Sequence, residues 1–337
     1  MAPPEPPTVA LRRLVNGYQV TQAIHVAATL GLADLLTDGP RGSDDLAAAT
    51  GTHAGALYRV LRALASVGVF REEPGRRFGL TPLGECLRAD APEPVGPWAA
   101  FVGRPYHWQA WAHLLHGVRT GETAFRHAHG MGVWEYRAAH PEEGAIFDRA
   151  MTAISRRQAD AVLAAYDFGR FGSVVDVGGG AGAFLAAVLA RHPAVRGVLF
   201  DQPHVVAGAD EVLRAAGVAD RCRVVAGSFF EAVPDGGDAY VLKNIVHNWE
   251  DEEATAILRG CRRAIGAGGA LLAVDRVLAP PNEGAAAKSM DLQMLVGAGG
   301  RERTREEWDD LLAAGGFRFV GVTPTASDVS VVEAVAV

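Results

Sequence analysis

The sequence of 337 residues predicts an α/β protein. Its C-terminal half should be a doubly wound, mostly parallel sheet with a terminal antiparallel hairpin, and its N-terminal half should be mainly helical. After residue 172, apolar runs alternate with helical patterns, as strands and crossover helices do in a parallel sheet. The last two runs, FRFVGVTPT and VSVVEAVAV, are joined by a short turn, so the final strand should be antiparallel.

The N-terminal half divides into three predicted segments. Residues 1–10 are proline-rich and predict a disordered tail. Residues 11–95 hold the helix SDDLAAAT, for which Ser43 is the predicted cap, then the helix AGALYRVLRALASVG and a hairpin with a Pro-Gly turn. The order helix, helix, hairpin predicts a winged-helix-like domain that serves in packing or dimerisation.

Residues 96–168 predict a helical linker rich in aromatic side chains. Such density suits a helical core, and it also suits the wall of a pocket for a flat aromatic ligand. Residues 169–337 then form the predicted catalytic domain with the doubly wound sheet.

Composition excludes several classes of function. The net charge is −7, and residues 1–95 carry 9 Arg or Lys against 10 Asp or Glu, so the basic surface of a nucleic-acid-binding protein is missing. The sequence contains neither a secretory signal nor about 18 consecutive apolar residues, and no membrane association is expected. Three widely spaced cysteines fit a reducing, cytoplasmic setting.

The turn VVDVGGGAGAF lies between a predicted strand and a predicted helix. Its glycines, Gly178, Gly179, Gly180 and Gly182, permit a tight turn and close approach of a ligand to the backbone. Asp201 ends the next strand, where a carboxylate can bind ribose hydroxyls. Dinucleotide folds normally continue with further parallel strands, so the terminal hairpin disfavours a nicotinamide dehydrogenase. An adenosyl ligand without a pyrophosphate fits better, and S-adenosylmethionine is the common one.

The stretch VLKNIVHNWEDEEA poses a separate question about His247. Asn248 is the predicted cap of a helix beginning at Trp249, and the acidic run suits the positive dipole of that helix. His247 falls before this cap at the carboxyl end of a strand, the edge where open α/β sheets bind ligands. On position alone, it is either a structural histidine or a base.

Five ordered motifs, DVGGGAG, FDQPHVV, GSFFEAVP, LKNIVHNWED and GGRERTREEWDDLLAAGGF, carry a family resemblance. With the helical N-terminal half, they resemble the S-adenosylmethionine-dependent O-methyltransferases of the plant caffeate/isoflavone type and their bacterial secondary-metabolite relatives, including enzymes of antibiotic biosynthesis. The resemblance covers about residues 12–337. It implies a class I methyltransferase, Rossmann-like sheet and a winged-helix dimerisation domain that forms a homodimer.

The resemblance also implies a cofactor site. The residues it assigns to S-adenosylmethionine are Gly178, Gly180, Asp201, Ser228, Phe229 and Lys243. Ser228 departs from the family, which commonly has Asp there; a hydroxyl can still bond the adenine amino group, but without charge.

For catalysis, the resemblance makes His247 the general base and Asp275 and Glu302 its carboxylate partners. Asp275 is one methylene shorter than the usual Glu, so which acid orients His247 stays open. A phenol of pKa near 10 is ionised to only about one part in a thousand at pH 7, a cost of roughly 4 kcal/mol, and a histidine can offset it. A phenolic hydroxyl of an aromatic acceptor is therefore the predicted target.

Met151, Met290, Met294 and Trp134 are the predicted acceptor-pocket residues. Methyl transfer from a sulfonium needs alignment more than an electrophile. No cluster of His, Asp and Glu indicates a metal in this sequence, and none is expected.

Two alternatives remain from the sequence. One is an enzyme of the same fold that binds the cofactor but catalyses hydroxylation, decarboxylation or a pericyclic step. The other is a winged-helix regulator that senses a ligand, which the balanced charge of residues 1–95 disfavours.

Overall fold

The computed structural model describes residues 5–337, which divide into two compact units. Unit 1 comprises residues 5–109 and 137–154, and unit 2 comprises residues 110–136 and 155–337. The region 96–168, predicted as one helical segment, is therefore shared between both units. Helix α1 (Pro7–Val15) includes residues 7–10, which the sequence predicts to be part of a disordered tail. Residues 1–4 of that predicted tail lie outside the described residues.

Helices dominate the chain as far as residue 165. They are α1 (Pro7–Val15), α2 (Gly17–Thr29), α3 (Ser43–Thr50), α4 (Ala54–Ser66), α5 (Pro82–Glu85), α6 (Gly96–Val102), α7 (Pro105–Ala112), α8 (Leu114–Thr120), α9 (Ala124–His129), α10 (Val133–Ala139) and α11 (Pro141–Ala165). Three short strands accompany them: β1 (Arg41–Gly42), β2 (Phe70–Glu73) and β3 (Arg77–Leu80).

The first part of unit 1 has the predicted winged-helix order. Helices α3 and α4 precede the antiparallel hairpin β2–β3, and β1 pairs with the other side of β3. Leu57, Leu61 and Leu64 form the buried face of α4. The prediction that Ser43 caps α3 is wrong, because the cap position is Gly42 and Ser43 is the first helical residue. The backbone N–H of Ser43 instead donates to the carbonyl of Arg76 at 2.9 Å, which ties the helix to the hairpin.

Strands and helices alternate through the rest of unit 2. Its strands are β4 (Ser173–Val177), β5 (Arg196–Asp201), β6 (Cys222–Ala226), β7 (Ala239–Lys243), β8 (Ala270–Asp275), β9 (Val277–Leu278), β10 (Arg303–Thr304), β11 (Phe317–Pro324) and β12 (Ser330–Ala336). Its helices are α12 (Ala183–Arg191), α13 (Pro203–Val206), α14 (Ala209–Ala215), α15 (Asp251–Ala264), α16 (Ala285–Val296) and α17 (Arg305–Ala314).

Seven of these strands form one sheet within the described residues, in the order β11-β12-β8-β7-β4-β5-β6. Strands β4 to β8 pair in parallel, whereas β12 is antiparallel to both β8 and β11. This confirms the doubly wound sheet and its terminal hairpin. Strand β8 is buried at every position, which explains its continuous apolar run ALLAVD.

The order of the strands places the site. From β4 the chain adds β5 and β6 on one side and then returns to add β7 on the other, so the switch point lies between β4 and β7. Ligands of open α/β sheets bind outside the carboxyl ends of the strands at such a point. Separately, none of the helices within residues 5–337 is both long and apolar enough to cross a bilayer.

Candidate active site

The glycine turn follows β4 and has the backbone that only glycine adopts readily. Gly178, Gly180 and Gly182 have φ values of +74°, +63° and +85°. A Cβ on Gly178 would lie 2.5 Å from Cδ1 of Ile245, whereas one on Gly180 would meet no atom within 4 Å. The turn therefore packs closely against the segment after β7 on one side and leaves the Gly180 backbone open on the other.

Asp201, at the end of β5, lies beside this turn. Its Oδ2 accepts the N–H of Gly180 at 2.8 Å, and its Oδ1 accepts the N–H of Gln202 at 2.7 Å. Each carboxylate oxygen keeps a further lone pair. The two motifs that the sequence paired, the glycine turn and the acid that follows it, are therefore in direct contact.

A buried acid and a buried lysine lie at the ends of β4 and β7. Both carboxylate oxygens of Asp176 are buried without a hydrogen-bond partner. Burial raises the pKa of Asp176 to about 7, although Lys243 opposes the shift. Burial likewise lowers the pKa of Lys243 to about 8, against the attraction of Asp176. The ammonium group of Lys243 donates to the hydroxyl of Ser155 at 2.9 Å.

The segment after β6 contains the residues predicted to flank adenine. The ring of Phe229 is half-buried and packs edge-on against Phe230 and Trp249, at centroid distances of 4.9 Å and 6.1 Å. The hydroxyl of Ser228 accepts the N–H of Phe230 at 3.3 Å, so it helps to shape a turn. Its remaining donor capacity is available to a ligand.

Asn244, which has a left-handed backbone conformation, turns the chain at the end of β7. Asn244 has φ of +54°, and its N–H donates to the carbonyl of Val274 at 3.0 Å. The chain then enters a 3-10 turn, Val246–Asn248, which holds His247. The prediction that Asn248 caps the next helix is wrong, because α15 begins only at Asp251. The amide of Asn248 donates instead to the carbonyl of Asn244 at 2.9 Å and closes the turn.

His247 lies between two buried carboxylates. Its Nδ1 is 2.9 Å from Oε1 of Glu302 and 3.7 Å from Oδ1 of Asp275. Burial opposes the charged imidazole, but Asp275 and Glu302 together raise the pKa of His247 above its usual value. Burial raises the pKa of Asp275 to about 7, against the attraction of His247. Because a carboxylate only accepts, Nδ1 carries the proton and Nε2 keeps its lone pair.

Glu302 is held by groups on either side. Its backbone N–H donates to Oδ1 of Asp291 on α16 at 2.8 Å, and NH1 of Arg276 lies 3.6 Å from its Oε1. Arg276 also pairs with Asp328, which lies in the turn between β11 and β12. Asp291 thus fixes the backbone of Glu302, and Arg276, itself paired with Asp328, places a positive charge beside its carboxylate.

Arg303 ties the Glu302 loop to the His247 turn. Only 1 % of this residue is exposed. Its guanidinium donates to Oδ1 of Asp251 at 2.8 Å, to the carbonyl of Trp249 at 3.0 Å and to the carbonyl of Val246 at 3.4 Å. A Cβ on Gly300 would lie 2.2 Å from the carbonyl oxygen of His247, so the GGRER loop needs glycine there to lie against the turn.

The four predicted acceptor residues lie on three helices. Met290 and Met294 lie one turn apart on α16, and Met294 is buried. Trp134 lies on α10 and is 44 % exposed, in unit 2 with both of these methionines. Met151 lies on α11, in the part of this helix that belongs to unit 1.

Sequence reasoning missed three charged residues of this site: Asp176, Arg276 and Arg303. A signal was present for the first, because an acid in the apolar run SVVDV has to be buried if the strand is central. The sequence carries no comparable signal for Arg303. Its partners are mainly carbonyl oxygens, which no pattern in the sequence marks.

Two family models match the chain. The model of the O-methyltransferase domain matches residues 111–318, and that of the O-methyltransferase dimerisation domain matches residues 12–90. The chain belongs to the O-methyltransferase family. The dimerisation domain confirms the predicted function of the winged-helix segment and supports a homodimer. In keeping with this, α1 has no buried residue, and Leu11, Leu14 and Val15 are exposed.

Curated relatives of this O-methyltransferase include two further methyltransferases and one hydroxylase. Phenazine O-methyltransferase PhzM from Lysobacter antibioticus is 47% identical over 96% of this chain and 95% of its own. The mitomycin biosynthesis 6-O-methyltransferase of Streptomyces lavendulae is 41% identical, over 95% and 92%. Aclacinomycin 10-hydroxylase RdmB of Streptomyces purpurascens is 37% identical, over 98% and 90%.

Solved structures of O-methyltransferases are also similar to this chain. The crystal structure of LaPhzM has a TM-score of 0.93 and 46% identity, over 99% of this chain and 100% of that one. The O-methyltransferase NcsB1 from neocarzinostatin biosynthesis, in complex with S-adenosylmethionine and 2-hydroxy-5-methyl naphthoic acid, has a TM-score of 0.82 and 36% identity, over 94% and 96%. The O-methyltransferase described here is accordingly an S-adenosylmethionine-dependent enzyme, as the sequence predicted.

Proposed function

We propose that the enzyme transfers a methyl group from S-adenosylmethionine to a phenolic hydroxyl of an aromatic secondary metabolite, with His247 as general base and without a catalytic metal. The observation that carries this proposal is the pairing of His247 Nδ1 with Glu302 at 2.9 Å. It leaves the lone pair of Nε2 to accept a proton. A histidine that only stabilised the fold would need no second buried acid beside it.

The cofactor supplies an electrophilic methyl on a sulfonium, which leaves as a neutral thioether. Hydrogen-bond donors of the chain then have little charge to stabilise on the leaving group, and alignment provides most of the rate. His247 Nε2 takes the acceptor hydroxyl proton while the oxygen attacks. Glu302 and Asp275 stabilise the imidazolium that forms, because the two acids together raise the pKa of His247.

The residues at the switch point fit an adenosyl cofactor. Gly178 and Gly180 would admit its amino-acid end, because the Gly180 backbone faces open space. The unpartnered oxygens of Asp176 suit a positively charged amino group. Asp201 would hold the ribose hydroxyls. Phe229 and Ser228 would flank the adenine, and Lys243 would lie on the cofactor side.

The acceptor assignment rests on chemistry and on relatives. Methionine side chains adapt to flat, irregular ligands, so Met290 and Met294 suit an aromatic ring, together with Trp134 of the same unit. Met151 remains a prediction from the sequence. The relatives include a phenazine O-methyltransferase and a 6-O-methyltransferase of mitomycin biosynthesis, which supports an acceptor from antibiotic or other secondary metabolism. A cytoplasmic location belongs to the same proposal, and the three free cysteines support it.

One other function is favoured by a specific observation. The hydroxylase RdmB shares 37% identity with this chain, so a cofactor-binding enzyme that does not transfer the methyl is the second candidate. The paired carboxylates around His247 favour methyl transfer, because a proton-accepting group of this kind serves attack by a hydroxyl oxygen.

Mass spectrometry separates the two functions. A panel of phenolic and polyketide acceptors is incubated with chelator-treated enzyme and S-adenosylmethionine, and products are scored for a gain of one methyl group. Methylated phenols that appear with the wild type support the proposal. A gain of oxygen, or loss of a carboxyl group, without methylation would favour the second candidate. Activity that requires added Mg²⁺ would overturn the metal-free mechanism.

A further inference from the structure

A cluster of metal-ligating side chains lies away from the switch point, on the hairpin of helices α8 and α9 in unit 2. One ligand atom from each of His116, Glu122 and His127 lies within 4.8 Å of the others. His116 is half-buried, while Glu122 and His127 are exposed. No metal site is expected from the sequence, and the fold brings the three residues together from two helices and the turn between them.

The imidazoles of His116 and His127 are stacked. Their centroids are 3.7 Å apart and their planes differ by 13°. Nε2 of His116 lies 2.9 Å from Oε2 of Glu122. Nitrogen atoms of two imidazoles and an oxygen of one carboxylate therefore lie close together on this hairpin.

The donor set selects the class of cation. Two imidazole nitrogens and one carboxylate oxygen suit Zn²⁺ and its neighbours Co²⁺, Ni²⁺ and Cu²⁺, whereas Mg²⁺ and Ca²⁺ prefer oxygen ligands alone. Tetrahedral zinc with bonds of about 2.0–2.1 Å separates its ligand atoms by roughly 3.4 Å. The three ligand atoms lie within 4.8 Å of one another. Because the two ring planes are nearly parallel, both imidazoles have to rotate about χ1 and χ2 to direct a nitrogen at one shared ion. The ring of His113, 4.9 Å from that of His127, is the next nearest imidazole.

An ordinary ion pair between His116 and Glu122 would explain the contact of these two residues, but it would not explain why the imidazole of His127 is stacked on that of His116. An exposed pair is worth at most about 1 kcal/mol and needs no third partner. Here a second imidazole lies flat on the first, and the turn at Gly121, with φ of +77°, brings the two helices together. We propose that His116, Glu122 and His127 form a binding site for one divalent transition-metal ion, of which Zn²⁺ is the best match.

The site is structural, not catalytic. The helices α8 and α9 both pack against α16. Just before α8, Trp111 Nε1 donates to Oε1 of Gln293 on α16 at 3.0 Å. The same helix carries Asp291, which accepts the N–H of Glu302. A metal ion joining α8 to α9 therefore stiffens the hairpin that supports α16.

The test is calorimetric titration of ZnCl₂ into untagged full-length protein that has been stripped with a chelator and dialysed. Wild type should bind one Zn²⁺ per chain, and MgCl₂ should give no binding. His127→Ala and Glu122→Gln should each weaken zinc binding by about tenfold or more. Both side chains are exposed, so both variants should melt like the wild type without metal. His140→Ala, which removes an exposed histidine outside the cluster, should bind zinc normally.

Thermal melting gives a second readout that does not depend on activity. A hundredfold excess of free zinc over its Kd should raise the Tm of the wild type by about 4 °C. The rise should disappear in His127→Ala and persist in His140→Ala. The proposal is overturned if wild type takes up no zinc, or if zinc binds equally well to the His127→Ala and Glu122→Gln variants.

Discussion

His247 Nδ1 lies 2.9 Å from Oε1 of Glu302 but 3.7 Å from Oδ1 of Asp275. Only Glu302 is therefore at hydrogen-bonding distance, while Asp275 acts through its charge. Glu302 can therefore orient the imidazole of His247, whereas Asp275 stabilises its positive charge. Each effect can be tested by a different substitution.

The first prediction concerns His247 as base. His247→Ala should lower kcat by about 10² or more and leave the affinity for S-adenosylmethionine nearly unchanged. The residual rate should rise about tenfold per pH unit towards the pKa of the acceptor, near 10 for a phenol, because solvent then supplies the phenolate. Methyl transfer measured between pH 7 and 10 checks both. If His247→Ala has the kcat of the wild type, His247 is a structural residue and not the base.

The second prediction concerns pH dependence. His247 acts as a base only when neutral, and its two acids raise its pKa above 6.5, so kcat/KM should fall as pH decreases through an apparent pKa above 6.5. In Glu302→Gln the amide oxygen can still accept from Nδ1, but one negative charge is lost. The acidic limb should therefore move to lower pH by about one unit, while the plateau falls about tenfold or less.

Asp275→Asn is the matched comparison for this profile. This substitution removes a charge beside His247 but keeps the hydrogen bond between His247 and Glu302. The acidic limb of the pH profile of kcat/KM should therefore again move to lower pH. Glu302→Ala, which removes the bond as well, should reduce the plateau by about 10² or more. Profiles that coincide with the wild type in both Glu302→Gln and Asp275→Asn would show that neither acid sets the pKa of His247.

The third prediction concerns the cofactor. Asp201 accepts hydrogen bonds from the N–H groups of Gly180 and Gln202. Asp201→Ala should weaken S-adenosylmethionine binding by tenfold or more through loss of ribose hydrogen bonds. Calorimetry with the cofactor and with its demethylated product measures the change. Asp210→Ala, an exposed acid on α14, serves as the control. A variant in which only acceptor binding changes would contradict the ribose assignment.

The fourth prediction concerns Arg303 as a positioning residue. Arg303→Lys keeps the charge but cannot reach Asp251 and the carbonyls of Trp249 and Val246 together, so it should lower the free energy of unfolding by about 2–3 kcal/mol. Because the same contacts hold Glu302 against His247, kcat should fall and the acidic limb should shift, with KM for the cofactor little changed. Arg301 is half exposed and lies nearby, and Arg301→Lys should leave the free energy of unfolding and kcat nearly unchanged. Loss of stability with wild-type kcat and pH profile would leave Arg303 a purely structural role.

Local signals in the sequence were sufficient for the architecture. Alternating apolar and helical segments predicted the parallel sheet, and two closely spaced final runs predicted the hairpin, because strand direction follows from connection length. The glycine turn and Asp201 were paired correctly for the same reason, since the carboxyl ends of neighbouring parallel strands meet at one edge of the sheet.

The tertiary structure alone decided which acid bonds His247. The distance from Nδ1 to a carboxylate depends on how the GGRER loop lies against the 3-10 turn, and Gly300 and Arg303 set this through backbone contacts far apart in the chain. It also decided where α15 begins, because Asn244 turns the chain before Asn248 can serve as a cap. The sequence by itself determined the elements and their order, whereas side-chain contacts between distant segments determined the chemistry of each acid and histidine.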